Sequence, residues 1–251
     1  MTDPARRGGR RSHRASDQAA HAIVDAVVDT ERARYLSEAD ALDALGVGRG
    51  TYREAVRFLE RLGVIEVRAG PGGGPALRTP DADDVASVIA LWMEVSGASL
   101  RSVLEARAAI EPAIARLAAA HATTEQVAAM HAALDEIERG LGDIATFAPA
   151  YRRYWDLLAT AAGNPLLSLL GPALRSIVNS GGFVPDEPYR ARIVEYLRVV
   201  DAAIAAGDGE AAEAATRALD EEFTRRLEAG YPRQIEHPVP WRRVDHADGA
   251  P

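Results

Sequence analysis

Over the first 80 positions, apolar residues recur in three short helical stretches and then in two extended ones. From Asp17 to Asp29, Ala20, Ile23, Val24, Val27 and Val28 return at helical spacing. A second helix is expected after Leu36, with Ser37 placed as its N-cap, running through Ala41 to Leu45. Gly46-Val47-Gly48 interrupts it. A third helix spans about Arg49 to Leu62 and stops at Gly63, where a glycine suits a helix C-terminus. Residues 64–68 (VIEVR) then read as a strand, 70–74 (GPGGG) as a turn, and 75–78 as a second short strand.

Three helices followed by a hairpin make a winged helix-turn-helix. After Thr79-Pro80 the pattern is helical throughout. Helices are expected near 82–96, 99–120, 124–140, 147–162, 165–179, 187–206 and 209–229, separated by short Gly, Asn, Pro and Thr breaks. Such short breaks favour antiparallel neighbours in a bundle. The fold class is therefore mainly α: an N-terminal winged helix-turn-helix with a two-stranded wing, then an all-α bundle of about seven helices. Four segments follow: a disordered basic arm over 1–16, a DNA-binding unit over 17–80, a helical unit over 81–230, and a flexible tail over 231–251.

Composition supports a globular protein: 251 residues, 47% hydrophobic and 26% charged. The absence of cysteine removes disulfides, thiolate catalysis and cysteine-ligated zinc. No run of about 18 apolar residues is present to span a membrane. The arginines at the N-terminus lack the apolar stretch of a secretory signal. A cytoplasmic protein with no membrane partner is expected. The net charge of −8 alone argues against nucleic acid, but its distribution reverses that argument. Residues 1–80 carry 13 Arg against 11 Asp and Glu, whereas residues 81–251 carry 16 against 26.

The third helix carries the candidate chemistry of the first unit. Tyr52, Val56, Leu59 and Leu62 form an apolar stripe, and Arg49, Arg53, Arg57 and Arg61 form another at i, i+4 spacing. A guanidinium can grip guanine in a bidentate manner or bind phosphate. The N-terminal end of a recognition helix reads bases, which singles out Arg49, Thr51 and Arg53. The alternative is an amphipathic surface helix in which Glu54 and Glu60 balance the arginines. The glycine turn before it and the hairpin after it favour DNA.

Residues 36–78, LSEADALDALGVGRGTYREAVRFLERLGVIEVRAGPGGGPALR, resemble the winged-helix half of GntR-type transcriptional regulators. The remainder resembles the helical ligand-sensing domain, called FCD, of their FadR subfamily. The stretches that carry the resemblance are LEARAAIEPAIARLAAAHA at 104–122, AAGNPLLSLL at 161–170 and AAIAAGDGEAAEAA at 202–215. It implies a homodimer that grips a short palindromic operator in double-stranded DNA and loosens when a small effector binds. Arg49, Thr51 and Arg53 match the DNA-reading positions, and Gly72, Gly73 and Gly74 match the wing tip. Three departures imply fewer DNA anchors. Ala39 stands where an arginine is usual, Gly48-Arg49-Gly50 replaces a Ser-Arg-Thr opening, and the usual proline-rich lead into Ser37 is missing.

FCD domains commonly hold a divalent metal with an Asp and three His. The matching positions here are Tyr151, Trp155, Leu197 and Leu219, none of which is a good ligand for a hard or borderline ion. No metal and no other cofactor is expected. Two readings of these four residues stay open: an enlarged apolar pocket suited to an acyl-CoA, fatty acid or other organic acid, or a filled core that senses nothing. For an acidic effector, Arg107 and Arg175 are the candidate anchors, with an Arg107–Glu111 pair one turn apart as the bland alternative for Arg107. Asp220, Glu221 and Glu222 read as solvated surface. Catalysis is not expected, because His-Glu-x-x-His, Gly-x-Ser-x-Gly and phosphate-loop motifs are all absent.

Overall fold

The computed structural model describes residues 17–25, 42–43, 46–68 and 74–241. The expected basic arm, Ser37 and all of the expected second helix but residues 42–43, Gly72 and Gly73 at the wing tip, and the last ten residues lie outside them. The chain divides into two compact units, Met1–Asp81 and Ala82–Pro251.

In the first unit, helix α1 covers 17–25 and α2 covers Arg49–Arg61. Strands β1 (Ile65–Arg68) and β2 (Gly74–Leu77) pair antiparallel, Ile65 opposite Leu77 and Glu66 opposite Ala76. A small core of Ala19, Ala20, Ile23, Tyr52, Ala55, Leu59 and Ile65 ties the helices to the hairpin. Gly46 (φ +60°) and Gly63 (φ +73°) occupy left-handed backbone that a β-carbon would strain. At Gly63 this closes α2: Val64 N–H donates to the Leu59 carbonyl at 2.9 Å and the chain turns directly into β1.

Among the described residues the second unit holds seven α-helices: α3 (Ala82–Ser96), α4 (Leu100–His121), α5 (Thr124–Arg139), α6 (Ile144–Ala161), α7 (Pro165–Ser180), α8 (Glu187–Ala205) and α9 (Gly209–Gly230). Five of them start on a side-chain cap. Thr123 and Gln126 form a reciprocal capping box, while Asp143, Asn164, Asp186 and Asp208 accept from first-turn N–H groups. Each such cap is worth about 1 kcal/mol. Asp143 also explains why α6 begins at Ile144 rather than 147. Its carboxylate accepts from the Ala145 and Thr146 N–H groups at 3.1 and 3.2 Å and from the Thr146 hydroxyl at 2.6 Å.

Two apolar clusters stabilise this unit. The larger lies among α4, α5, α6, α8 and α9 and includes Met130, Phe147, Tyr154, Trp155, Leu197 and Leu219. The smaller joins α3, α4 and α7 to Leu227, Ile235 and Val239. The second cluster corrects the expected tail. Within 231–241 a 3₁₀ turn at Gln234–Glu236 buries Ile235, and Val239 is buried after it, while residues 232–234, 236–237 and 240–241 stay exposed. Arg101 clamps this turn through Glu236 at 2.6 Å and α9 through Glu228 at 2.6 Å, and Leu100 N–H donates to the His237 carbonyl. Tyr231 stacks edge-on to Phe183 at 4.8 Å. The Pro- and Arg-rich composition that reads as loose chain hides the apolar anchors Ile235 and Val239.

Candidate DNA-binding helix and ligand cavity

Helix α2 has a buried and an exposed side, although Phe58 and the stripe residue Leu62 are exposed. Tyr52, Ala55 and Leu59 face the core, while Arg49, Arg53, Arg57 and Arg61 are exposed, as are Glu54 and Glu60, and Thr51 is half-buried. The helix has no acidic residue in its first turn, and Gly48 supplies no side-chain cap. Its leading N–H groups and the positive end of its dipole therefore share one end with Arg49 and Arg53, a combination suited to phosphate. Gly74 begins β2, opposite Arg68.

In the second unit, α4, α6, α7, α8, α9 and the α7–α8 loop border an open cavity of about 580 Å³. One wall is aromatic: Phe147 stacks on Tyr151 at 5.7 Å, and Tyr151 meets Trp155 edge-on at 6.2 Å. Phe183, Tyr189 and Phe223 complete the rings. Arg107 and Arg175 also line it, both nearly fully buried. Their partners are carboxylates from two other turns. Glu111 accepts from Arg107 Nε at 2.7 Å and Nη2 at 3.2 Å, and from Arg175 Nη2. Asp220 lies 3.5 Å from Arg107 Nη2. Arg175 Nη1 donates to the Tyr151 hydroxyl at 3.2 Å, and its guanidinium sits 3.5 Å over the Trp155 ring; that of Arg107 lies 5.0 Å over Phe223.

The two carboxylates are not equivalent. Burial opposes ionisation of both, but for Glu111 the two guanidinium groups win, and its carboxyl is held below the usual range. Asp220 is pushed up to about 8, first by burial and then by the nearby Glu111 charge. A hydrogen bond to Glu111 also favours the protonated form of Asp220 and the ionised form of Glu111. Burial also works against the Arg107 charge, yet Glu111 and Asp220 hold its pKa above the ordinary arginine value.

A family model, the FCD domain, matches residues 102–221. An HTH-type transcriptional regulator of Mycobacterium tuberculosis is 31% identical over 82% of this chain and 86% of its own length. The chain belongs to the GntR family of transcriptional regulators. The galactonate operon transcriptional repressor of Escherichia coli is 29% identical over 76% of this chain and 86% of its own. Among solved structures, a Streptococcus agalactiae GntR protein shares the fold with a TM-score of 0.65 and 22% identity, over 84% of this chain and 99% of that one. These relatives are regulators, and this GntR chain is a DNA-binding regulator of transcription rather than an enzyme. No helix among the described residues is long and apolar enough to cross a membrane.

Against this family background, the four metal positions do not fit a metal. Tyr151 and Trp155 line the cavity, though Trp155 is itself only 3% exposed and part of the larger apolar core, whereas Leu197 and Leu219 are buried in that core and do not reach the wall. The four residues thus divide between pocket and plug. No group of three His, Asp or Glu placed to hold a metal occurs among the described residues. The structure does bring Arg107 and Arg175 together, through the shared Glu111. The pair suggested as the bland alternative, Arg107 with Glu111, is therefore part of the same cluster. Asp220 was misassigned to the solvated face. It sits one position beyond Leu219 on the inner side of α9, where Ala212, Thr216, Leu219 and Leu227 turn inward at helical spacing. Phe183, Tyr189 and Phe223 come from a loop and two helices, and no local pattern groups them. Arg152 is exposed and pairs with Asp83 at 2.7 Å on the cavity rim.

Proposed function

We propose that this GntR regulator is a homodimeric repressor of the FadR subfamily, released from a palindromic operator by a small acidic effector. In this reading Arg49, Thr51 and Arg53 read bases and Gly72–Gly74 let the wing approach the backbone closely. The effector occupies the cavity in the second unit, and its acid is held by Arg107 and Arg175 without a metal. Tyr151 and Trp155 form its apolar wall; Leu197 and Leu219 support that wall from behind. The body attached to the acid is an acyl chain or another organic skeleton.

One observation carries the effector half: two nearly buried guanidinium groups lie on the wall of an open cavity and share a single firmly ionised carboxylate. Helix α3 supports the homodimer. Val88, Leu91, Trp92 and Val95 form an exposed apolar stripe on the side opposite its buried Ala86, Ala90 and Met93, and Trp92 is 62% and Val95 81% exposed. Effector and DNA are then coupled by the difference in effector affinity between bound and free regulator.

The test is fluorescence anisotropy on duplex DNA from upstream of the regulator's own reading frame, repeated with organic acids. Arg49→Ala and Arg53→Ala should each abolish specific binding, and an acid that raises the melting temperature should weaken binding by the wild type. Undiminished binding by both variants would remove these residues as readers. DNA binding that no acid alters would leave an effector-blind regulator.

A further inference from the structure

We propose that the cavity's ligand is a planar aromatic monocarboxylate, its carboxylate taken by the Arg107–Arg175 pair and its ring by the aromatic wall. This inference rests on the effector reading above and narrows the chemical class of that effector.

The wall composition is the first argument. Aromatic residues are 6% of the chain, yet Phe147, Tyr151, Trp155, Phe183, Tyr189 and Phe223 are six of the 22 residues that line the cavity. They come from three helices and a loop, so rings stand on more than one side. Branched aliphatic residues, the usual lining for a flexible chain, number four: Ile144, Val178, Val184 and Ile193. Ring faces and edges favour a flat aromatic guest with offset or edge-on contacts. A flexible acyl chain gains no such geometry and loses rotamer freedom on entry.

The cations give the second argument. Each guanidinium lies over a ring, Arg175 on Trp155 at 3.5 Å and Arg107 on Phe223 at 5.0 Å. One face of each is therefore covered, and a carboxylate is met in the guanidinium plane by the N–H groups that Glu111, Asp220 and Tyr151 do not already take. Glu111 holds both groups in place, so the anchor exists before the ligand arrives. Geometry sets the valency. Glu111 and Asp220 take Nε and Nη2 of Arg107, and Glu111 and Tyr151 take Nη2 and Nη1 of Arg175, which leaves Arg107 Nη1 and Arg175 Nε as the donors for an incoming acid, enough for one carboxylate and not two.

The experiment is isothermal titration calorimetry on the full chain at pH 7 with benzoate, 4-hydroxybenzoate and phenylacetate. Octanoate is the acyl probe, phthalate the dianion and benzamide the uncharged isostere. At least one aromatic monocarboxylate should bind about tenfold or more tightly than octanoate and phthalate, and benzamide should lose about tenfold or more relative to benzoate. Trp155→Leu should weaken the aromatic acid about tenfold. If that variant does not fold, Phe223→Leu serves the same purpose, and the benzamide comparison needs no variant. Octanoate binding tighter than all three aromatic acids overturns the aromatic class and leaves the effector reading standing. Benzamide binding as well as benzoate overturns the guanidinium anchor. If neither the aromatic acids nor octanoate bind a chain that still binds DNA, both this inference and the effector reading fall.

Discussion

Two carboxylates on one buried guanidinium should respond in opposite ways to neutralisation. Glu111 is 2% exposed and accepts three hydrogen bonds from Arg107 and Arg175. Glu111→Gln leaves both cations without their shared counter-ion, a change that costs about 3–5 kcal/mol in buried pairs. The lower end is expected, because Asp220, freed from the Glu111 charge, can ionise and take over part of the role. Asp220→Asn should instead raise stability at pH 7, since the amide replaces a carboxyl held neutral in the folded chain and removes the ionisation that favours the unfolded one. The pH dependence follows from linkage. The folded chain keeps the Asp220 proton up to about 8, whereas the unfolded chain releases it near the ordinary aspartate value of 3.8. Stability from this group is fully present below the unfolded value and is lost as pH rises to about 8. Between those limits the wild type should therefore lose stability relative to Asp220→Asn, by at most on the order of 1 kcal/mol per pH unit. Urea unfolding followed by far-ultraviolet circular dichroism at pH 5, 7 and 9 measures all three proteins. Equal losses for the two variants at pH 7, or a gap that does not change with pH, would show that Asp220 is ionised and refute this account of the cluster.

Four further outcomes are expected. Trp92→Glu combined with Val95→Glu should convert a dimer to monomer in sedimentation equilibrium, because the pair buries charge at the centre of the α3 stripe; an unchanged mass would move the dimer interface elsewhere. Leu197→Ala should lower unfolding stability by about 2–5 kcal/mol, as for other fully buried leucines, and calorimetry should show a much smaller effect on ligand affinity than Trp155→Leu has, since Leu197 does not line the cavity. Ile235→Ala should cost a similar ~2–4 kcal/mol if residues 231–241 are anchored through it in solution; an unchanged urea midpoint would return this segment to loose chain. Elemental analysis of protein purified without chelator should find no stoichiometric transition metal, and one zinc or manganese per chain would overturn the argument from Tyr151, Trp155, Leu197 and Leu219.

Part of the site was legible because it is written in local periods. The arginine stripe of α2 needs only i, i+4 spacing, and Gly63 and Asn164 end or begin helices through their own backbone and side-chain chemistry. The Arg107–Glu111 pair is likewise one helical turn long. Asp220 was not legible: its neighbours Glu221 and Glu222 are charged, and a three-residue acidic run reads as surface until the packing of α9 fixes which side turns inward. The C-terminal segment failed for a similar reason, since Ile235 and Val239 are too few to show a period and acquire meaning only against α3 and α4.

The sequence by itself determined the helices, the hairpin, the loss of metal-ligating side chains and the arginine face of α2, because each depends on residues within a turn or two of one another. Only the tertiary structure decided that Glu111 serves two arginines, that Leu197 and Leu219 fill core while Tyr151 and Trp155 line a cavity, and that Asp220 is buried. The physical reason is range: backbone conformation is set by near neighbours, whereas burial and charge pairing between residues 64 or 113 positions apart exist only once helices pack.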